Sequence, residues 1–209
     1  MTTLDGTPNP EAPNPQRPIV QKLRLRYAKR GRLRFTSHRD FARAFERAIR
    51  RSGIPIGHSS GFTPHPKISY ANASPTGAAS EAEYLEIGMT RECRPDEVRM
   101  LLDSALPDGL DIVDVVVAQP GSLADRLEAS AWDIALPNVE LQHAESAVRA
   151  FLAEDDVPIE RMMKQGPRIL NSRAPVVDLV ARSDVSNGCL LYTSPTPRHR
   201  TRARMPSSA

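Results

Sequence analysis

The chain has 209 residues, 40% hydrophobic and only 5% aromatic, with 28 basic against 25 acidic side chains. Of its two cysteines, Cys189 falls in the unusual C-terminal run described below, and Cys93 alone supports neither a disulfide framework nor a cysteine-based metal or iron–sulfur motif. No apolar run approaches the ~20 residues that span a bilayer, so a cytoplasmic protein with no membrane association is expected.

Residues 1–19 alternate Pro8, Pro10, Pro13, Pro15 and Pro18 with small polar residues, which leaves nothing to bury and predicts a disordered Pro-rich leader. Leu23, Leu25 and Tyr27 then alternate with Lys22, Arg24 and Arg26, the period of a strand. After Lys29-Arg30-Gly31 the alternation resumes, with Leu33 and Phe35 set against Arg32 and Arg34, so a long strand or a hairpin return is expected. Ser37 is placed to cap the next helix, with Asp40 three residues on. Phe41, Ala44, Phe45, Ala48 and Ile49 make its apolar stripe, while Arg39, Arg43, Arg47 and Arg50 or Arg51 share another face. Gly53 ends the helix and Ile54-Pro55 starts an extended segment.

Gly61 to Pro66 reads as a constrained loop, since Pro64 and Pro66 fix their own backbone angles. Strands are expected over 67–71 and 84–89, joined by a small polar loop. Pro95 suits the first turn of a helix that buries Val98, Leu101, Leu102 and Ala105, and residues 110–117 read as a strand. Strand, helix, strand, strand, helix, strand over 20–120 predicts an α+β fold, a ferredoxin-like βαββαβ domain. A similar order begins again over 121–188, with a strand at 130–136, a helix at 140–153 and strands at 158–163 and 176–182. This predicts a second, truncated α/β unit lacking its last helix and strand.

Residues 189–209 differ in kind. Cys189-Leu190-Leu191-Tyr192-Thr193-Ser194 is what TGT-CTC-TTA-TAC-ACA-TCT encodes, the outer end of a transposon adapter used to prepare sequencing libraries. The arginine-rich run from Pro195 to Arg204 resembles read-through of the remainder. The segment is read as a sequencing-adapter artefact and set aside, a natural basic tail being the alternative. Without its four arginines the count is 24 basic against 25 acidic residues, and the net charge moves from +3 to −1. A globally basic protein is then the wrong inference. Residues 20–67 still carry 13 Lys or Arg against Asp40 and Glu46, whereas 68–188 carry 10 against 21 acids.

That cationic stretch holds the candidate site. Lys22, Arg24 and Arg26 share one strand face, and a hairpin return would add Arg32 and Arg34 to it. A sheet covered by helices on one side leaves its other side open, where single-stranded RNA binds in a groove whose cations track phosphates. His38, Arg39, Arg43, Arg47, His65 and Lys67 complete the expected anion-binding set. Pairing of these cations with Glu86, Asp111 and Asp114 on neighbouring strands is the plain structural alternative, and docking on an acidic protein is a third. His38 and His65 are also candidate general acid/base groups. The spacing of His38, His58 and His65 matches no zinc signature, and no Gly-rich phosphate loop or nucleophile triad is present.

Four ordered blocks carry a resemblance: Arg34-Phe35-Thr36-Ser37-His38-Arg39-Asp40, Arg47-Ala48-Ile49-Arg50-Arg51-Ser52-Gly53-Ile54-Pro55, Gly61-Phe62-Thr63-Pro64-His65-Pro66-Lys67-Ile68-Ser69 and Ser80-Glu81-Ala82-Glu83-Tyr84-Leu85-Glu86. From about Val20 to Gly188 the chain resembles the bacterial radical-SAM-linked protein family, a domain of unknown function found beside or fused to a cobalamin-binding radical SAM protein. The resemblance implies a radical SAM protein as partner, with the iron–sulfur cluster and S-adenosylmethionine in that partner and no cofactor here. A fainter similarity links the same blocks to ferredoxin-like endoribonucleases that process CRISPR repeats, which implies RNA contact without transferring a catalytic set. Sequence alone therefore predicts a non-catalytic accessory protein that binds RNA, tRNA or rRNA, or a ribonucleoprotein. A metal-independent endoribonuclease and a protein-interaction module are the alternatives.

Overall fold

The first alternation of the sequence becomes β1 (Gln21–Lys29) in a computed structural model that describes residues 16–71, 73–184 and 188–194. Residues 1–15 of the expected leader and 195–209 of the adapter-like tail lie outside the described residues. The chain divides into two units, 1–124 and 125–209. In the first, β1 is followed by α1 (His38–Ser52), β2 (Ile68–Tyr70), β3 (Ser80–Met89), α2 (Pro95–Ala105) and β4 (Leu110–Val117). The strands form one antiparallel sheet in the order β2-β3-β1-β4.

Because β1 lies inside this sheet, its apolar residues are enclosed from both flanks. Leu25 sits opposite Leu85 on β3 and Val115 on β4, and Leu23 opposite Ile87 and Val117. The stripe of α1 closes over this face, with Phe41, Phe45 and Ala48 fully enclosed and the Phe41 ring stacked on Tyr27 at 4.0 Å. Burying each such large side chain contributes about 1.5–3 kcal/mol. The cap behaves as its sequence predicts: the Asp40 backbone N–H donates to Ser37 Oγ at 3.2 Å, and that hydroxyl donates to the Asp40 carboxylate at 2.6 Å.

The hairpin return expected at Leu33 and Phe35 does not form. Gly31 takes a positive φ of 54° and turns the chain into a 3-10 helix over Gly31–Phe35, closed by the Leu33 N–H to Arg30 O and the Thr36 N–H to Leu33 O. Seven residues separate the end of β1 from the cap Ser37, and the 3-10 turn takes up five of them, which leaves no stretch for a paired return strand. β3 is longer than its core pattern suggested, starting at Ser80. None of the helices among the described residues is long and apolar enough to cross a membrane.

After a single helical turn, α3 (Leu123–Arg126), the second unit runs β5 (Trp132–Leu136), α4 (Leu141–Ala153), β6 (Pro158–Met163), β7 (Gly166–Asn171), β8 (Asp178–Asp184) and β9 (Gly188–Ser194). β5, β9 and β8 form one antiparallel sheet, and β6 and β7 a separate two-stranded ribbon. β7 and β9 were not expected. The Met163 to Gly166 turn folds β6 back on β7 at once, so this hairpin pairs with itself and does not extend the sheet as β2 and β3 do in the first unit. β9 places six residues read as adapter-encoded between β5 and β8.

Candidate nucleic-acid interface

Strand alternation separates the two sides of the first sheet. Leu23, Leu25 and Tyr27 meet the helices, so Lys22, Arg24 and Arg26 lie on the uncovered side. Their β3 neighbours there are Gly88, Glu86 and Tyr84, and on β4 Val116 and Asp114 flank Arg24 and Arg26. Lys67 leads into β2 and joins this side through the Gly88 N–H, which donates to the Lys67 carbonyl at 3.0 Å. A groove of about 380 Å³ opens here, lined by Lys22, Ser59, His65, Lys67, Ser69 and Glu86, with Ile19 at one wall.

The cations of this face are not equivalent. Arg24 is 10% exposed and fully engaged: its Nε donates to Glu86 at 3.1 Å and its Nη2 to the Gly121 carbonyl at 2.5 Å. Lys22, 62% exposed, meets the other Glu86 oxygen at 3.1 Å. Burial alone would push the Glu86 carboxyl up, but the hydrogen bonds and charges of Lys22 and Arg24 outweigh it and hold the group below its ordinary range. Arg24 is therefore a sheet tie, whereas exposed Lys22 and Arg26, with Lys67 and His65 at the groove, remain turned toward solvent. Of the expected acidic partners, Asp111 pairs not with this set but with Arg30, at 2.7 Å, while Glu81 takes the same guanidinium at 2.8 Å.

The remaining candidates lie elsewhere. Arg32 and Arg34 belong to the 3-10 turn, where the Arg34 guanidinium rests over the Phe35 ring at 4.8 Å. Arg39, Arg43 and Arg47 are exposed on α1, whose opposite face is buried against the sheet, so they point away from it. Asp40 approaches Arg43 only at 3.9 Å. His38 opens the same helix and meets the Tyr70 ring edge-on at 4.9 Å. Since Tyr70 shares the helix-covered side with Leu85, the sheet stands between His38 and His65. Among the described residues, no three His, Cys, Asp or Glu side chains are gathered as a metal site.

Beneath the His38 end lies a polar cluster that sequence reading missed. Lys29 and Glu83 are both buried. The Glu83 carboxylate accepts the Ser74 backbone N–H at 3.1 and 3.2 Å, and Lys29 Nζ donates to the Ser74 carbonyl at 3.4 Å. Burial, then Glu83, then Tyr70 push the Tyr27 phenol far upward, and burial followed by Glu46 does the same for Tyr70. Parity along β1 was the available signal: Leu23, Leu25, Tyr27 and Lys29 fall on one side.

A family model described as "Uncharacterized protein conserved in bacteria (DUF2344)" matches residues 22–202. No curated protein matches the chain.

Proposed function

The chain belongs to this family of uncharacterised bacterial proteins, and we propose that it is a non-catalytic accessory module that holds RNA, or the RNA of a ribonucleoprotein, for a radical SAM protein. The carrying observation is the uncovered face of the first sheet, where Lys22, Lys67 and His65 line a groove that helices leave free and Arg26 stands exposed further along β1. Cations arranged along an open sheet suit a phosphate backbone, and a half-buried aromatic, Tyr84, stands beside Arg26 on the same face. We read the fold as ferredoxin-like; the helix positions and the strand order β2-β3-β1-β4 support that reading. The cluster and S-adenosylmethionine belong, in this proposal, to the partner.

Binding of labelled tRNA and rRNA fragments to the full chain tests it, at low and moderate salt. Affinity that falls steeply with salt is expected, because bound phosphates release counterions; no binding at low salt would sink the reading. The endoribonuclease alternative needs His38 and His65 to act on one scissile bond, yet they lie on opposite sides of the sheet. Incubating RNA with chelator and each His→Ala variant should yield no discrete products. The exposed row Arg39, Arg43 and Arg47 favours a second surface on α1, suited to an acidic partner protein. Capture of the radical SAM partner that is lost in an Arg43→Glu, Arg47→Glu variant would place the docking there.

A further inference from the structure

Phe62 is 91% exposed, an unusual position for the largest apolar residue of a loop built to be stiff. The loop is closed at its base by the Ser59 N–H to His65 O at 2.8 Å and the His65 N–H to Ser59 Oγ at 3.0 Å. One residue further out, His58 pairs with Pro66, and the Lys67 N–H donates to Gly57 O at 2.7 Å. Gly61 adopts φ +114° next to Phe62, a conformation that other residues rarely reach, and Pro64 fixes the descending limb. The aromatic ring is thus carried on a tied loop, three residues from Ser59 and three from His65, both of which line the cationic groove. That span is at most about 10 Å.

We infer that Phe62 is a stacking residue for a nucleobase of single-stranded RNA whose phosphates occupy the groove beside Lys22, Lys67 and His65; this rests on the RNA-binding reading above. A groove of cations fixes the backbone without reading bases, and a single exposed aromatic on a tied loop within reach of it gives an unstacked base a face to rest on. A loop backbone tied before binding loses little further freedom when a base arrives. Stacking of this kind tolerates any base.

The test uses the full chain, a labelled single-stranded RNA of roughly 12 nucleotides and an abasic ribose-phosphate strand of equal length. Phe62→Ala should weaken binding of the base-containing strand about tenfold, Phe62→Trp should keep it, and the abasic strand should bind wild type and Phe62→Ala alike. Equal affinity of wild type and Phe62→Ala for the base-containing strand would overturn the stacking role while leaving RNA binding intact. An equal loss on the abasic strand would overturn it too, assigning Phe62 to a contact other than a base. If wild type binds neither strand, the RNA-binding reading fails and stacking fails with it.

Discussion

Changing Lys22, Arg26 and Lys67 together to Gln removes three cations from the open sheet face and leaves Arg24 bonded to Glu86 and Gly121, at the cost of the second cation on Glu86. Arg24 is spared because its guanidinium is held between Glu86 and the Gly121 carbonyl, so its loss would test stability as well as binding. Each phosphate contact on a single strand contributes ~0.7 to the slope of log affinity against log salt. Losing three contacts should lower that slope by about 2. Between about 50 and 200 mM salt, the wild type should then lose roughly 20-fold more affinity than the variant. The matching change on the helix, Arg39→Gln, Arg43→Gln and Arg47→Gln, removes the same charge from the far side and should leave the slope unaltered. Fluorescence anisotropy of a labelled RNA across a salt series measures both. Equal slope losses in the two triple variants would refute the division of the basic segment by the sheet, since they would follow net charge alone.

Glu86→Gln leaves Arg24 enclosed opposite a neutral amide and should cost about 3 kcal/mol of unfolding free energy in urea titrations. Because the Glu86 carboxyl titrates below its ordinary value of 4.5, its stabilising contribution is present above that value and is lost as pH falls through the folded-state pKa. The stability gap between wild type and Glu86→Gln should accordingly be constant near neutral pH and shrink in acid; a gap that widens in acid contradicts the sign. Ser37→Ala removes the acceptor of the Asp40 N–H and should lower stability by about 1 kcal/mol in the same titrations. Phe41→Ala opens a cavity under Tyr27 and Phe45 and should cost about 4 kcal/mol, read as a fall in Tm; a loss near that of a surface change would mean that α1 does not cover the sheet.

Much of the first unit was legible because its signals are local. The run from Ser37 to Gly53 contains cap, apolar stripe and terminator, and α1 spans His38–Ser52 as those residues dictate. The two-residue period also placed Lys22, Arg24 and Arg26 on one face. What it did not reveal is that α1 packs on the other face, which turns Arg39, Arg43 and Arg47 away from them; that separation depends on chain topology, which strand period and helix period do not encode separately. The turn at Gly31 broke an alternation that Leu33 and Phe35 continued in sequence only. Lys29 was passed over as a turn residue although its parity matches Tyr27, because a lysine is rarely enclosed without a partner. The Ser74 carbonyl, 45 residues away along the chain, accepts from it, and Glu83 in turn holds the Ser74 N–H. The β6-β7 ribbon was missed for a different reason: Lys164-Gln165-Gly166 is a weak turn signal beside Asn-Gly or Asp-Gly.

Lys29 and Glu83 close the opposite end of β1 from the groove, seven residues or about 23 Å beyond Lys22. Both groups regain hydration if the Ser74 loop lifts away, so this end of the sheet has a lower opening free energy than one sealed by aliphatic side chains. Amide protons around Lys29, Ser74 and Glu83 should exchange with solvent sooner than those of Leu23, Leu25 and Ile87. The soft edge of the domain then lies at the end of β1 away from the groove, and breathing there leaves the groove and its tied loop in register.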